Sequence, residues 1–378
     1  MNRYRFITSA VLLTLAVSLI LVSCRDGGTA SGKGREVELR YATHLTMEEH
    51  DGYTVASIRN PWDTTKTLST YLLLDEGAAP PEVAPGVQVV NVPLRNSVVY
   101  STVHIGLLED LGATDAVAGV CDTEYIFDPE MKRRLSSGRV ADCGQSITPN
   151  IERIIGLGAD AVLLSPFENS GGHGKIDQAG IPVIECADYM ENSPLARAEW
   201  MRFYGRLYGN SAIADSLFAE TERQYLSLKE LASTSTTRPK VLMDRIYGQT
   251  WNLPAGHSTM GRMIEDAGGT NPFGEVEATG SLQLSPEKVL MQAGDADYWL
   301  IRFAYSNLTL ASLASDKELY TRIKAYRDGN VYGSNSSESH IFEEVAFHPQ
   351  WLLGSLISIL HPELEQPDKP RSYFKEIE

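Results

Sequence analysis

The chain has 378 residues, enough for two domains with full cores. Hydrophobic residues make up 43% and charged residues 22%, ordinary proportions for a globular protein, while the net charge is −16. So acidic a balance argues against phosphate recognition, which needs a basic face, and so against nucleic-acid binding.

The first 24 residues carry Arg3 and Arg5, an uncharged run from Phe6 to Val22, then Leu21-Val22-Ser23-Cys24. That is the layout of a signal peptide over residues 1–23. A membrane-spanning helix is the competing reading, but the run is slightly short and no basic stop signal follows closely. Leu-Val-Ser-Cys resembles a bacterial lipobox, which makes Cys24 the lipidation site and the first residue of the mature chain. Loss of Arg3 and Arg5 would then move the net charge from −16 to −18. Multiple acyl chains give stable anchoring where one is marginal. Residues 24–35, rich in Gly and Ser, read as a flexible tether.

Residues 36–95 read as β structure, with YTVASIRNPW and LSTYLLLD as strands and the Pro-rich 79–86 as a connection. From residue 96 the pattern becomes α/β. Strands are expected at 98–101, 116–121, 161–165 and within 180–186, with a helix over His104–Leu111. Strands alternating with helices imply right-handed crossovers and a mainly parallel sheet. Residues 96–195 thus form a first α/β lobe. Two helices follow in 196–235: one over 197–209 with Trp200, Phe203, Tyr204, Leu207 and Tyr208 on one face, and one from Ser211 to about Ala232. The second carries an apolar stripe of Ile213, Leu217, Tyr225, Leu228 and Leu231. After the STSTTRP boundary, 236–378 resumes α/β alternation: KVLMDRIYG as a strand, TMGRMIEDAGG as a helix, NVYGSN as a strand and PQWLLGSLISILHPEL as a last helix.

One motif occurs in each lobe: TPNIERIIGLGADAVLLS (148–165) and LSPEKVLMQAGDADYWLI (284–301). Pro149 and Pro286 fit a first helical position, with Thr148 and Ser285 as caps. Glu152 and Glu287 fall in the first turn, where the helix dipole favours an acid by a few tenths of a kcal/mol, about 0.3–1. The dipole alone is a sufficient reason for either glutamate.

The stretches VVYS…LLEDLG…VAGVCD (98–122), NIERIIGLGADAVLLS (150–165), GGTNPFGEV (268–276), LSPEKVLMQAGDAD (284–297) and AYRDGNVYGSN (325–335) occur in an order that resembles the substrate-binding proteins of ABC importers for iron chelates, haem and cobalamin. The resemblance spans roughly residues 96–361. It implies two α/β lobes joined by a long bridging helix, a ligand cleft between them, and binding without chemistry. It also implies that Glu152 and Glu287 sit on the lobe tips and pair with arginines of the permease dimer that works with an ATPase. The β-rich 36–95 segment is longer than the family's usual N-terminal portion. The second motif copy also has two extra residues between Glu and Ala-Asp.

Sheets of this type bind ligands at the carboxyl ends of their strands. That rule selects Ser101, Thr102 and His104; Cys121, Asp122 and Tyr125; Ser165, Phe167 and Glu168; and Asp188 and Tyr189 in the first lobe. In the second it selects Arg245, Tyr247 and Trp251, then Arg302 and Tyr305, then Asn335 and Ser336. Arg245 and Arg302 with nearby aromatics would suit an anionic, partly apolar ligand such as a ferric chelate or haem; an ordinary salt bridge is the bland reading of each. Cobalamin is the alternative ligand, favoured by a flat neutral aromatic cleft over a basic one. Eight histidines show no paired spacing, so a bare metal ion is not expected. Cys121, Cys143 and Cys186 leave an odd thiol, with a Cys121–Cys143 disulfide and simple burial both open. A rival of another class, a lipoprotein hydrolase, would use Ser258 or His257, but GHSTMG lacks the spacing of a nucleophile elbow. The expectation is a lipid-anchored extracytoplasmic binding protein that is not an enzyme, holds no cofactor beyond its bound ligand, and moves its lobes only slightly.

Overall fold

A computed structural model of the protein describes residues 34–168 and 173–378. The chain opens with one sheet of β1 (Arg35–Glu36), β2 (Leu45–His50), β3 (Tyr53–Arg59), β4 (Thr67–Asp75) and β5 (Val87–Val92), paired in that order. The first three pairings are antiparallel and β4–β5 is parallel. Asp51-Gly52 makes the two-residue turn between β2 and β3, where Gly52 takes the φ of +80° that tight hairpins demand. Ala56 and Ile58 of β3, and Tyr71 and Leu73 of β4, point into a core shared with the next lobe.

The first α/β lobe runs through β6 (Ser97–Val99), α1 (Thr102–Asp110), β7 (Val117–Val120), α2 (Pro129–Ser136) and β8 (Ala141–Asp142). It continues through the hairpin β9 (Gly144–Gln145) and β10 (Thr148–Pro149), α3 (Ile151–Gly156), β11 (Ala161–Leu164), α4 (Lys175–Gln178) and β12 (Val183–Glu185). The sheet order is β12-β11-β6-β7-β8, parallel throughout. Both faces are covered, which is why these strands read as unbroken apolar runs. Val98, Val162 and Val183 face one side, and Val99, Val120, Leu163 and Ile184 face the core shared with the N-terminal sheet. That sheet also closes the β12 edge. The Tyr71 hydroxyl accepts from Glu185 N–H (2.9 Å) and donates to Val183 O (3.0 Å), and Gln88 Oε1 accepts from Val183 N–H (3.1 Å). An edge strand so capped offers no free ladder to another chain.

The connection between lobes is α5 (Pro194–Glu199), α6 (Met201–Leu207) and α7 (Ser211–Ser233). The expected single helix over 197–209 is broken at Trp200, where Trp200 N–H bonds Arg197 O and Phe203 N–H bonds Trp200 O in the tighter three-residue pattern. The tightening turns Glu199 and Trp200 toward the N-terminal segment. Glu199, wholly buried, accepts the backbone N–H groups of Arg40, Tyr41 and Ala42. Glu191, also buried, accepts those of Thr43 and His44 and the Trp200 indole N–H. Trp200, Phe203, Tyr204, Leu207 and Tyr208 are all buried, as their spacing predicts. α7 has 23 residues, about 35 Å of helix. Its buried face is Ala214, Phe218, Thr221, Glu222, Tyr225 and Ala232, so the expected stripe is rotated and Ile213 is exposed. The cause is close packing: a Cβ on Gly205 of α6 would lie 2.4 Å from the Ala214 Cβ.

The second lobe contains β13 (Val241–Met243), β14 (Ile246–Tyr247), β15 (Thr250–Pro254), α8 (Thr259–Asp266), β16 (Ser281–Leu284), α9 (Pro286–Ala293), β17 (Tyr298–Phe303), α10 (Leu310–Asp316) and α11 (Lys324–Asp328). Then come β18 (Val331–Asn335), α12 (Ser336–Ser339), α13 (Ile341–Glu344), α14 (Pro349–Leu360) and β19 (Lys375–Glu376). Its main sheet has the order β13-β17-β18-β19 with only β19 antiparallel; β14, β15 and β16 form a separate antiparallel sheet. The expected single strand KVLMDRIYG is therefore two strands in two sheets, parted at Asp244 with φ +55°.

The repeated motif resolves into one device used twice. In the first copy the cap is Asn150, whose side chain accepts from Arg153 N–H; Thr148 and Pro149 lie in β10, so neither takes its expected place. In the second copy Ser285 caps and Pro286 opens α9, as expected. The two extra residues lengthen the helix from six residues in α3 to eight in α9. Each copy then ends in an aspartate that ties down the lobe's first strand. Asp160 accepts from the backbone N–H of Arg95 and Asn96 before β6, and Asp297 accepts from that of Lys240 before β13.

Candidate functional site

The carboxyl ends of β6, β7 and β11 in one lobe and of β17 and β18 in the other converge on a cavity of about 690 Å³. That is the size of a small-molecule site. The first lobe contributes Tyr100, Ser101, Thr102, Asp122, Tyr125, Phe127, Ser146, Ile147, Ser165 and Phe167. The second contributes Arg302, Phe303, Ala304, Ser336, His340, Phe342 and Glu343. The walls are aromatic, and Tyr125, Phe167 and Phe342 are 51%, 65% and 49% exposed, surface that a ligand can cover.

Backbone strain gathers at the same place. Four non-glycine residues among those described have positive φ: Asp122 (52°), Asp244 (55°), Tyr305 (57°) and His340 (52°). Asp122 and His340 line the cavity, Asp244 holds its Arg302, and the Tyr305 ring lies 6.3 Å from that of Phe127. Each such conformation costs on the order of 1–3 kcal/mol and persists where surroundings enforce it.

Two arginines were expected at the ligand, and their settings differ. Arg302 lines the cavity, but its guanidinium bonds Asp244 through Nε (3.0 Å to Oδ1) and through its terminal nitrogen, and lies 5.9 Å from the Phe342 ring centre. Its charge is largely answered within the protein. Arg245 and Tyr247 line, with Asp244, a separate polar recess of about 550 Å³ that shares Arg302 with the main site. Arg245 stands 3.9 Å from Asp316 there.

Of the other residues selected from sequence, Ser101, Thr102, Asp122, Tyr125, Ser165, Phe167 and Ser336 come together on the cavity. Tyr305 stands at its mouth, 63% exposed, its hydroxyl donating to Glu124 O across the lobes (2.8 Å). Glu168 is exposed beside the cavity and off its lining. Tyr189 is half-buried, its hydroxyl donating to Pro166 O. His104 lies in the core, 1% exposed, with Nε2 3.0 Å from Asp188 Oδ1 and 2.9 Å from the Tyr204 hydroxyl. Trp251 is wholly buried, with its indole N–H donating to Met243 O (3.0 Å). Strand-end position alone does not distinguish a side chain facing the cleft from one facing the core.

Sequence reasoning passed over Phe127, Ser146, Ile147, His340, Phe342 and Glu343. Phe127 stands two residues beyond Tyr125 in one loop, a signal that was available. His340 follows a short helix after β18, where no periodicity points to it. Its imidazole Nδ1 bonds Glu343 Oε2 (2.9 Å), while Glu343 Oε1 accepts from Phe127 N–H of the other lobe (2.9 Å). The lobes meet directly behind this contact. α13 packs on α1, where a Cβ on Gly106 would lie 2.7 Å from Glu343 O, and His348 Nε2 lies 2.6 Å from Asp110 Oδ2.

The remaining candidates lie elsewhere. Cys24 lies outside the described residues. Glu152 and Glu287 are exposed in the first turns of α3 and α9; Glu152 pairs with Lys175 (2.7 Å), which holds its carboxyl below the usual range. Cys121, Cys143 and Cys186 are buried free thiols, and burial pushes the Cys143 thiol up to about 11, far from a reactive range. Ser258 is the cap of α8, its hydroxyl donating to Ala255 O and accepting from Gly261 N–H, an arrangement that occupies it structurally. No helix among the described residues is long and apolar enough to cross a membrane.

Comparison with known proteins agrees with this architecture. An uncharacterized lipoprotein of Methanocaldococcus jannaschii is 24% identical over 363 residues, covering 89% of this chain and 85% of its own. A periplasmic heme-binding protein of Pseudomonas aeruginosa superposes with a TM-score of 0.59 at 16% identity, over 75% of this chain and 98% of that one. A protein of an ABC-type Fe3+-hydroxamate transport system from Saccharomonospora viridis gives a TM-score of 0.57 at 16% identity, over 71% and 94%. At such identities the likeness is one of fold. The solved structures match nearly whole while leaving about a quarter of this chain over, whereas the archaeal relative spans nearly all of it. The profile of the periplasmic binding proteins matches residues 98–337, more than half the chain and most of the cavity lining, and the protein belongs to that family.

Proposed function

We propose that the protein is the lipid-anchored substrate-binding component of an ABC importer, and that it captures an iron chelate or haem between its lobes for delivery to a permease. The observation that carries this reading is the interlobe cavity at the strand carboxyl ends, with aromatic walls and backbone strain gathered around it. The fold neighbours that bind heme or belong to a hydroxamate transport system support the ligand class. Cys24 carries the anchor in this reading, consistent with the lipoprotein name of the archaeal relative, and places the protein outside the cytoplasm. Glu152 and Glu287 are the permease contacts: exposed charges of this kind fix orientation and register more than affinity.

Cobalamin stands as the second reading because the cavity is aromatic and Arg302 is already paired with Asp244, leaving little free positive charge on the lining. The test is native mass spectrometry with visible absorption on protein purified from its own host. An iron-bearing mass of haem or a ferric chelate is expected; a corrinoid mass would select the alternative. A cavity that stays empty under ligand-replete growth would contradict both.

A further inference from the structure

The cavity presents one imidazole, and its setting is that of a prepared ligand. His340 sits between two short helices in a left-handed conformation, φ 52°, which a β-carbon-bearing residue rarely adopts. Its Nδ1–H donates to Glu343, which is 6% exposed and so fixes both ring orientation and tautomer. In the neutral ring that leaves Nε2 as the nitrogen with the lone pair, and Nε2 has no hydrogen-bond partner among the described residues. A carboxylate on one imidazole nitrogen, leaving the other unprotonated, is the standard support of a metal-ligating histidine. The rings of Phe127 and Phe342 stand beside it, Phe127 edge-on at 6.4 Å.

A lone imidazole does not hold a bare ion, and no group of three or more His, Cys, Asp or Glu side chains suited to one occurs among the described residues. What one imidazole can do is complete a coordination sphere that the cargo itself supplies. A hexadentate ferric chelate leaves no open position for it; a planar metal macrocycle leaves an axial one, and offers a flat face to aromatic walls. We therefore infer that His340 Nε2 is an axial ligand to the metal of a tetrapyrrole cargo, with Glu343 as its positioning residue. This rests on the importer reading above and narrows its ligand class. Glu343 also receives Phe127 N–H from the first lobe, so the carboxylate that aims the imidazole is the one that joins the lobes.

The probes are hemin, aquacobinamide and ferrioxamine, titrated into the full mature protein and into H340N and E343Q, with affinity and visible spectrum read together. Asparagine tolerates the left-handed backbone, so H340N removes the nitrogen without straining the turn. Hemin or aquacobinamide should bind with a nitrogen-ligated spectrum, the one that binds identifying the source. H340N should bind at least 10-fold more weakly with a shifted spectrum, and added imidazole should restore the native one. E343Q should lose about 10-fold, the usual scale for such a partner. If H340N binds the same macrocycle with unchanged affinity and spectrum, the axial assignment fails while the importer reading stands. If ferrioxamine alone binds, the assignment likewise fails and the iron-chelate reading survives. Binding of none of the three overturns both.

Discussion

Asp188 shows how a strand-end residue can serve the scaffold instead of the ligand. It is buried with His104, Tyr204 and Arg197 around it. Burial opposes its charge, but His104, Arg197 and the Tyr204 hydroxyl outweigh that and hold its carboxyl at about 2. Because the folded value is depressed, its stabilisation is present above the unfolded value near pH 4 and is lost as pH falls from about 4 to about 2. Asp188→Asn should therefore cost on the order of 2 kcal/mol at pH 7 by urea denaturation, and the gap to wild type should narrow over that acid window. An equal cost at pH 7 and pH 2.5 would mean that packing, not charge, is lost. The same cluster explains a limit of sequence reading. His104 and Ser101 stand three residues apart at one strand end, yet only Ser101 lines the cavity, since α1 turns His104 inward.

At the level of elements, alternation and periodicity were legible, while caps and breaks depended on tertiary contacts. The parallel sheet strands follow from apolar runs buried on both faces, and the aromatic face of 197–209 follows from its spacing. The break at Trp200 was not legible, because it serves the carboxylates of Glu191 and Glu199 that grip residues 40–44, far away in sequence. Nor was the α7 rotation, which Gly205 sets by admitting Ala214. A second glycine matters more for function. Gly106 lets α1 meet the backbone of α13, and with it the Glu343 contact that spans the cleft. Gly106→Ala should cost about 1–3 kcal/mol through overpacking. It should also weaken ligand binding at least 10-fold by isothermal titration, because the Glu343 carbonyl must retreat. Unchanged affinity with lowered stability would separate the helix contact from the site.

For the whole molecule, direct interlobe contacts and a helical bridge leave little freedom for hinge closure. Solution scattering should therefore show almost the same radius of gyration with and without ligand; a contraction of several ångströms would refute the rigid-cleft account. Reversing both charges, Glu152→Lys with Glu287→Lys, should leave ligand affinity unchanged and abolish stimulation of the permease's ATPase in reconstituted vesicles. Loss of ligand binding would move those residues from docking to the cleft. The two-lobe plan and the repeated motif could be read from sequence because each lobe repeats one local grammar: cap, acid, short helix, Ala-Asp, strand. The cavity's second-lobe wall was legible only at Arg302 and Ser336, since His340 and Phe342 join Phe127 only after both lobes have folded.

In the importer reading the interlobe cavity binds an iron-bearing small molecule. The most direct test of that reading is equilibrium titration of hemin and ferric chelates into the wild-type protein and into Phe127→Ala/Phe342→Ala, which removes an aromatic wall from each lobe. Saturable one-to-one binding of at least one iron ligand is expected, weakened 10-fold or more by the double substitution, on a scale of about 1–3 kcal/mol for two lost aromatic contacts. Binding of equal strength in both proteins, or no binding to either, would contradict that reading.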